Sequence, residues 1–358
     1  IIMKILYGIA ATGNGHISRS RVIVDALRKK GHSIDVLLSG RDKKDLFDID
    51  DLKPFEVKKG FTFVTKKGKI SYIKTLLESS LIEFFNDIKS IDNSYDLVIT
   101  DLEPISAYAA KVNKIPCIGI GHQYSFYKKI PMKINMKFAS IFIPKMYSPV
   151  NFSIPFHFHH FNQLIFPPII DPIFYKELNN SQYNGNILVY LSWEDLNDMI
   201  SILEKISNNF IIYTKIKSIK KHQNITLKPF SNLGFKKDLM QCSGLITNGG
   251  FELPSEALFL GKPMLCKPLG GQPEQQHNAE ILQELGYATI CDKIDVNNIE
   301  NWIKNKINVR IPFKNPIDLI INIIENPTID FSDQIIELWE NNTKNAFQNT
   351  SIDLQNHQ

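Results

Sequence analysis

What most constrains this chain is a pair of series in which short apolar runs of strand length alternate with stretches of helical periodicity. The first series holds MKILYGIA, SIDVLLSG, DLVITD (96–101) and IPCIGIG (115–121), with helical stretches around 17–30 and at PISAYAAKVN. Runs that are apolar throughout need burial on both faces, and intervening helices supply that cover. Each series therefore predicts a parallel sheet with crossover helices. The second series starts at GNILVYLS (185–192) and continues through FIIYTKI (210–216), NITLKPF (224–230), GLITN (244–248), PMLCKP (263–268) and YATICD. Its helices are expected at DLNDMISILEKISN, near FKKDLMQC, across ELPSEALFLG and at QQHNAEILQELG. Between the series, FPPIIDP (166–172) carries prolines that stiffen a connection. At 358 residues the chain also exceeds the size at which one core keeps growing. The expected fold class is α/β, with two doubly wound domains, 1–168 and 169–330, facing a cleft. Residues 331–358 read as a helical segment able to pack back onto the first domain.

No apolar run reaches the ~18–20 residues that span a bilayer. The start, IIMKILYGIA, lacks the basic region and small-residue cleavage site of a secretory signal and reads as a buried first strand. Cys117, Cys242, Cys266 and Cys291 are scattered in or beside apolar runs without CxxC spacing. This predicts reduced thiols in a cytoplasmic protein rather than disulfides or a metal site. The net charge of +4 hides an asymmetry: 24 Lys and Arg against 15 Asp and Glu through residue 170, then 17 against 22, which is +9 and −5. The basic half suits an anionic membrane surface or a charged acceptor, or is simply solvated. The segment 124–146, where Lys128, Lys129, Lys133 and Lys137 stand among aromatic residues and Met, is either a membrane-surface contact or a plain loop. No nucleic-acid partner is expected.

The densest information lies in LITNGGFELPSEALFLGKPMLCKPLGGQPEQQHNAEILQELG (245–286). A strand ends at Asn248, and Gly249 and Gly250 permit a sharp turn that bares backbone N–H groups. A helix follows, with Glu252 in its early turns and Pro254 tolerable only near its start. Backbone donors at a helix N-terminus, with no side chain in the way, make a place for a phosphate or diphosphate. Glu256, one turn on, can accept two hydrogen bonds from a ribose diol, like the acidic residue of dinucleotide folds. GGQPEQQHNA then supplies Glu274, Gln275, Gln276 and Asn278, expected at the C-terminal end of a strand. Ligands bind there in open α/β sheets, and such side chains suit sugar hydroxyls.

This stretch resembles the nucleotide-sugar signature of GT-B glycosyltransferases. The branch is that of the lipid II N-acetylglucosaminyltransferase and the UDP-glucuronosyl- and plant UDP-glycosyltransferases. That signature runs His-Gly-Gly, a Glu eight residues after the His, Gly-x-Pro, a further Pro, then Asp/Glu-Gln-x-x-Asn-Ala. The chain offers Asn248-Gly249-Gly250, Glu256, Gly261-Lys262-Pro263, Pro268 and Glu274-Gln275-Gln276-His277-Asn278-Ala279. The resemblance implies two Rossmann-like domains, with the amides of Gly249, Gly250 and Phe251 on the donor diphosphate. It implies Glu256 on the ribose, and Glu274 and Gln275 on the donor sugar. One departure is Asn248, which can donate to a phosphate oxygen but brings no positive charge. Another is LVYLSWED, which ends where the family has a Ser/Gly-rich phosphate loop; Ser192 remains, but Trp193 and Glu194 replace the glycines. Phe230, with Leu239 and Met240 near by, belongs either beside the base or in the core.

In ATGNGHISRS (11–20) a strand stops, turns on Gly13 and Gly15, and becomes a helix near Ile17, with His16 at the junction. By glycine content alone such a turn suits a phosphate, a catalytic residue or a tight corner. The resemblance implies the family's first N-domain loop, placing Gly13 and Gly15 on the acceptor side. His16 would then be the base that takes a proton from the acceptor hydroxyl in an inverting transfer. A neutral imidazole at pH 7 suits that task, and the helix N-terminus disfavours the imidazolium. Asp101, closing DLVITD, is the first candidate to orient the ring and Glu103 the second. Helix N-terminal amides can stabilise the diphosphate leaving group, so neither metal nor cofactor is expected. His122, at a strand end, is a further acceptor-side candidate. FHFHHF (156–161) would set His157 and His159 on one strand face, but no neighbouring Cys or carboxylate completes a metal site.

The expected function is transfer of a sugar from a nucleotide-sugar donor, UDP-linked, to a hydroxyl acceptor, with inversion and without metal. By family analogy the acceptor is a lipid-linked or cell-surface glycan and the protein is cytoplasmic or peripheral at the inner membrane face. A nucleotide-sugar hydrolase or 2-epimerase on the same fold is the enzymatic alternative. A non-catalytic sugar-nucleotide-binding protein is the second.

Overall fold

A computed structural model of the chain describes residues 2–60, 65–66, 69–70, 81–132, 144–177 and 184–340. The first of its two compact units is built on one parallel sheet. Its elements begin with β1 (Lys4–Ala10), α1 (Asn14–Lys29), β2 (Ser33–Ser39) and β3 (Phe55–Lys58). An antiparallel ladder of β4 (Thr65–Lys66) and β5 (Lys69–Ile70) groups with the second unit. The first unit continues with α2 (Leu81–Ser90), β6 (Leu97–Asp101), α3 (Pro104–Asn113), β7 (Cys117–Gly121) and β8 (Phe152–Pro155). The strands lie in the order β3-β2-β1-β6-β7-β8, every neighbouring pair parallel. β6 and β7 are buried at every position, which is why their sequences are apolar up to the buried Thr100 and Asp101 that end β6. α1 buries Ile17, Ser20, Arg21, Val24 and Leu27, spaced along one face, and its last turn carries Arg28 and Lys29, which suit the negative end of the helix.

The second unit runs α4 (Pro172–Glu177), β9 (Ile187–Tyr190), α5 (Leu196–Leu203), β10 (Phe210–Thr214), β11 (Lys220–His222), β12 (Ile225–Pro229) and α6 (Asn232–Gln241). It continues with β13 (Gly244–Thr247), α7 (Glu252–Leu260), β14 (Met264–Cys266), α8 (Pro273–Glu284), β15 (Thr289–Ile290) and α9 (Val296–Lys304). The strand order is β11-β12-β10-β9-β13-β14-β15, parallel except for β11. That edge strand is the exposed Lys220-Lys221-His222, whose charges discourage pairing with another chain. Ile187, Val189, Phe210, Ile246, Leu265 and Trp302 meet in one core.

Both sheets reverse their strand order once, between β1 and β6 and between β9 and β13. At such a reversal the loops leaving the two strands diverge to opposite faces and open a crevice at the carboxyl ends.

Two expectations change. The chain rejoins the first unit at Phe313, ahead of the boundary expected at 330. The cause is α10 (Ile317–Glu325), which buries Ile317, Ile320, Ile321, Ile323 and Ile324 and packs against α1. His32 Nε2 lies 3.1 Å from Glu325 Oε1, and Trp339 Nε1, beyond α11 (Ser332–Glu337), donates to the Ile165 carbonyl at 2.7 Å. The helical tail is described only to residue 340, and Lys133 and Lys137 lie outside the described residues. Second, FHFHHF is not a strand. β8 ends at Pro155, and the rings of His157 and His159 fold back to accept the backbone N–H groups of Phe158 and Phe161 at 2.9 and 3.0 Å. The four cysteines are unbridged, and among the described residues no helix is long and apolar enough to cross a membrane.

Candidate active site

At the first reversal the turn Ala11–Gly13 releases the chain into α1 at Asn14, three residues before the expected start. Gly15 is therefore helical, and His16 lies within the first turn. Gly13 precedes the helix in an extended conformation, and a Cβ built on it would meet nothing nearer than His16 Cδ2 at 3.9 Å. β6 pairs with β1 so that its last residue, Asp101, stands opposite Ile9. Asp101 is fully buried, and its Oδ1 lies 2.7 Å from His16 Nδ1.

Two further residues of α1, not singled out by the sequence, converge on that carboxylate. Arg19 Nε donates to Oδ2 at 2.9 Å and its Nη2 to Oδ1 at 2.7 Å, a two-bond clamp. Ser20 Oγ donates to Oδ2 at 3.2 Å. Burial works to raise the Asp101 carboxyl, but the Arg19 guanidinium, followed by His16, outweighs it and holds the group below the ordinary carboxylate range. An ionised carboxylate can only accept, so Nδ1 of His16 carries a proton, and in the neutral ring Nε2 carries the lone pair. Arg19 Nη2 is also 3.2 Å from Nδ1, so a fixed cation faces the ring.

Glu103 is not a second partner of the ring. It caps α3, accepting from the backbone of Ile105 at 2.9 Å and Ser106 at 2.6 Å and from Ser39 Oγ at 2.7 Å. His122 opens a 3-10 turn through Tyr127 and is buried, its Nδ1 2.9 Å from the Phe156 carbonyl.

At the second reversal the segment Asn248–Phe251 joins β13 to α7. Neither Gly249 nor Gly250 has positive φ, so the turn does not require glycine for its backbone angles. It requires space: a Cβ on Gly249 would stand 2.4 Å from the Gln275 carbonyl oxygen. One on Gly250 would meet nothing within 4 Å. α8 is tied down on this turn by Asn278 Nδ2, which donates to the Gly249 carbonyl at 3.1 Å. Glu274, Gln275 and Asn278 thus lie on the first turns of α8, not at the strand end itself. Gln275 Oε1 is occupied by the Leu269 N–H at 2.9 Å. Asn248 is buried and donates from Nδ2 to the Lys267 carbonyl at 3.0 Å. Phe251, also buried, gives its carbonyl to Ser255.

Glu256 is buried on α7, and burial lifts its carboxyl to about 8. Lys236 eases that shift while Glu252 and Asp171 add to it, and Lys236 is itself ion-paired with Asp171. Phe230 is half-buried just past β12, whereas Leu239 and Met240 are core residues of α6. After β9, Ser192 is exposed, and Glu194 forms an ion pair with Lys267. Sequence reasoning passed over Arg19 and Lys267. Arg19 carried a readable signal, because a cation in the first two turns of a helix opposes the helix dipole and calls for a carboxylate.

The family described as glycosyl transferase family 1 matches residues 3–307. An uncharacterized glycosyltransferase of Methanosarcina mazei is 25% identical over 332 residues, covering 80% of this chain and 85% of that protein. Among solved structures, Phytolacca americana UGT2, complexed with UDP-2-fluoro-glucose and pterostilbene, superposes with a TM-score of 0.56. It is 12% identical, over 94% of this chain and 98% of that one. The glycosyltransferase SnogD from Streptomyces nogalater gives a TM-score of 0.51 at 16% identity, over 85% and 91% of the two chains. At these identities the structural likeness speaks for the fold, two Rossmann-like domains of the GT-B kind.

Proposed function

The chain belongs to glycosyl transferase family 1 and is a glycosyltransferase; from that premise we propose that it moves a sugar from a UDP-linked donor to a hydroxyl acceptor, with inversion and without metal. The observation that carries this reading is the His16–Asp101 contact at 2.7 Å, which commits Nδ1 to the carboxylate and leaves Nε2 as the base. Nε2 takes the proton of the acceptor hydroxyl as that oxygen attacks the anomeric carbon. The bond from that carbon to the diphosphate breaks on the opposite face, and UDP leaves. The imidazolium formed is balanced by Asp101, which stays ionised because Arg19 holds it.

The second unit binds the donor. The Asn248–Phe251 turn receives the diphosphate at the N-terminus of α7, which offers amides to the charge developing on the leaving group. Glu256 meets the ribose, Glu274 and the amide of Gln275 meet the sugar, and Phe230 lies beside the base. The spacing of these residues supports a donor site of the lipid II N-acetylglucosaminyltransferase and UDP-glycosyltransferase kind. The UDP-sugar in the Phytolacca americana UGT2 complex supports the choice of nucleotide. The net +9 of the first 170 residues favours an acceptor that is anionic or lies at an anionic surface, such as a lipid-linked glycan.

A thermal-shift comparison of UDP-, GDP- and dTDP-sugars tests the reading, since a ligand that binds only the native state raises its melting temperature. UDP-sugars should stabilise the protein most. A chain indifferent to all three classes would remove the nucleotide-donor assignment. Release of free sugar at full rate without any acceptor would turn the transferase reading into a hydrolase.

A further inference from the structure

Two departures from the family pattern, Asn248 in place of a histidine and Glu194 in place of a glycine, are far apart in sequence, yet both meet one residue. Lys267 follows directly on β14. Its backbone N–H donates to the Thr247 carbonyl at 2.9 Å, and its own carbonyl accepts from Asn248 Nδ2 at 3.0 Å. Its ammonium pairs with Glu194, in the loop that leaves β9. The two side chains are only 15% and 19% exposed. In this sheet β13 lies between β9 and β14. A pair formed by residues just past those two strands therefore closes over the carboxyl edge of β13, where the Asn248–Phe251 turn begins. Cys291, past β15, also feels the Lys267 charge; burial pushes its thiol up to about 11, so it stays neutral.

A cation at that edge is the element a diphosphate site lacks when its histidine is an asparagine. We propose that Lys267 is the cation of the donor site and that Glu194 is its built-in counter-ion, displaced when a diphosphate binds. In the empty protein Glu194 keeps the half-buried ammonium from standing unpaired, which would be costly. When a nucleoside diphosphate arrives, its oxygens take over the ammonium and the Glu194 carboxylate swings away into water. The same contact neutralises the charge that accumulates on the leaving diphosphate during transfer. Removing the carboxylate should therefore favour the ligand, while removing the ammonium should disfavour it.

The inference rests on reading the Asn248–Phe251 turn as the diphosphate site, and its test separates the two claims. UDP and uridine are titrated calorimetrically into the wild-type protein, Lys267→Ala and Glu194→Gln, with a melting curve for each. Lys267→Ala should weaken UDP by about tenfold or more, the scale of a lost charged hydrogen bond, and leave uridine unchanged. Glu194→Gln, nearly isosteric, should tighten UDP several-fold; this arm stands alone if Lys267→Ala fails to fold. Opposite signs support the counter-ion. If both variants weaken UDP alike, or neither changes it, the pair is a strut between two loops and the proposal falls while the donor site stands. If the wild type binds UDP no better than uridine, the turn holds no diphosphate and both claims fall.

Discussion

The two strand-order reversals are alike in topology and opposite in how they hold a buried carboxyl. Asp101 and Glu256 are both sequestered from water, yet Asp101 is held below the ordinary range and Glu256 is lifted to about 8. Burial pushes both upward; the difference is the donors. Asp101 receives two bonds from Arg19, one from Ser20 and one from His16. Among the described residues, Glu256 is favoured as a carboxylate by the field of Lys236 alone, whose ammonium is already paired with Asp171, while Glu252 and Asp171 work against ionisation. This contrast fits the proposed roles: a carboxylate that anchors a base is saturated with protein donors, and one that awaits a ribose is left short of them for the ligand's hydroxyls to complete.

The largest effects should come from the saturated site. His16→Ala should lower kcat by about 10²–10⁴-fold, the range for loss of a positioned general base, with UDP affinity unchanged. A variant that binds donor and turns over normally would remove His16 from the chemistry. Arg19→Met should cost about tenfold to a hundredfold in kcat by loosening Asp101 and, through it, the ring. The pH profile then distinguishes positioning from mere structure. Without the guanidinium, burial should lift the Asp101 carboxyl, so the acid limb of kcat/KM should move to higher pH. Arg19→Lys restores the charge but not the two-bond geometry, and should recover the limb more fully than the rate. An Arg19→Met enzyme with lower stability and an unmoved limb would make Arg19 a packing residue only.

How much of this was legible depended on whether a residue's role is local. Strands such as β6, β7 and β13 could be read because they are buried on both faces. His16 and Asp101 could be paired because one opens the helix that follows β1 and the other ends β6, strands that one sheet brings together. Arg19 and Lys267 show charge in the sequence but not their partners, which lie 82 and 73 residues away. The need for glycine at 249 was visible but its reason was not. Backbone freedom was the local expectation, whereas the carbonyl of Gln275, contributed by α8, sets the limit. IDLIINIIE looks like any core helix, and only its packing against α1 assigns it to the first unit and moves the boundary to Phe313.

The smallest effect bears on the unsaturated site and is the sharpest check of the contrast. Glu256 titrates near 8 in the folded protein against an ordinary 4.5. Between those values the native state keeps a proton that the unfolded chain has released, so stability falls as pH rises through the window. Below it both states are protonated and the penalty is absent; above it both are ionised and the penalty is complete. Glu256→Gln cannot ionise, so it should flatten the decline in melting temperature between about pH 5 and pH 8.5. At the upper end it should melt a few degrees above the wild type. Because a ribose diol donating to Glu256 favours the carboxylate, UDP should bind the wild type more tightly as pH rises toward 9. Binding should release a proton, and the glutamine variant should bind more weakly with no such slope. Parallel melting curves for the two proteins would mean that Glu256 is already ionised when folded. The two reversals would then hold their carboxyls alike, and a ligand would have nothing left to complete at the second.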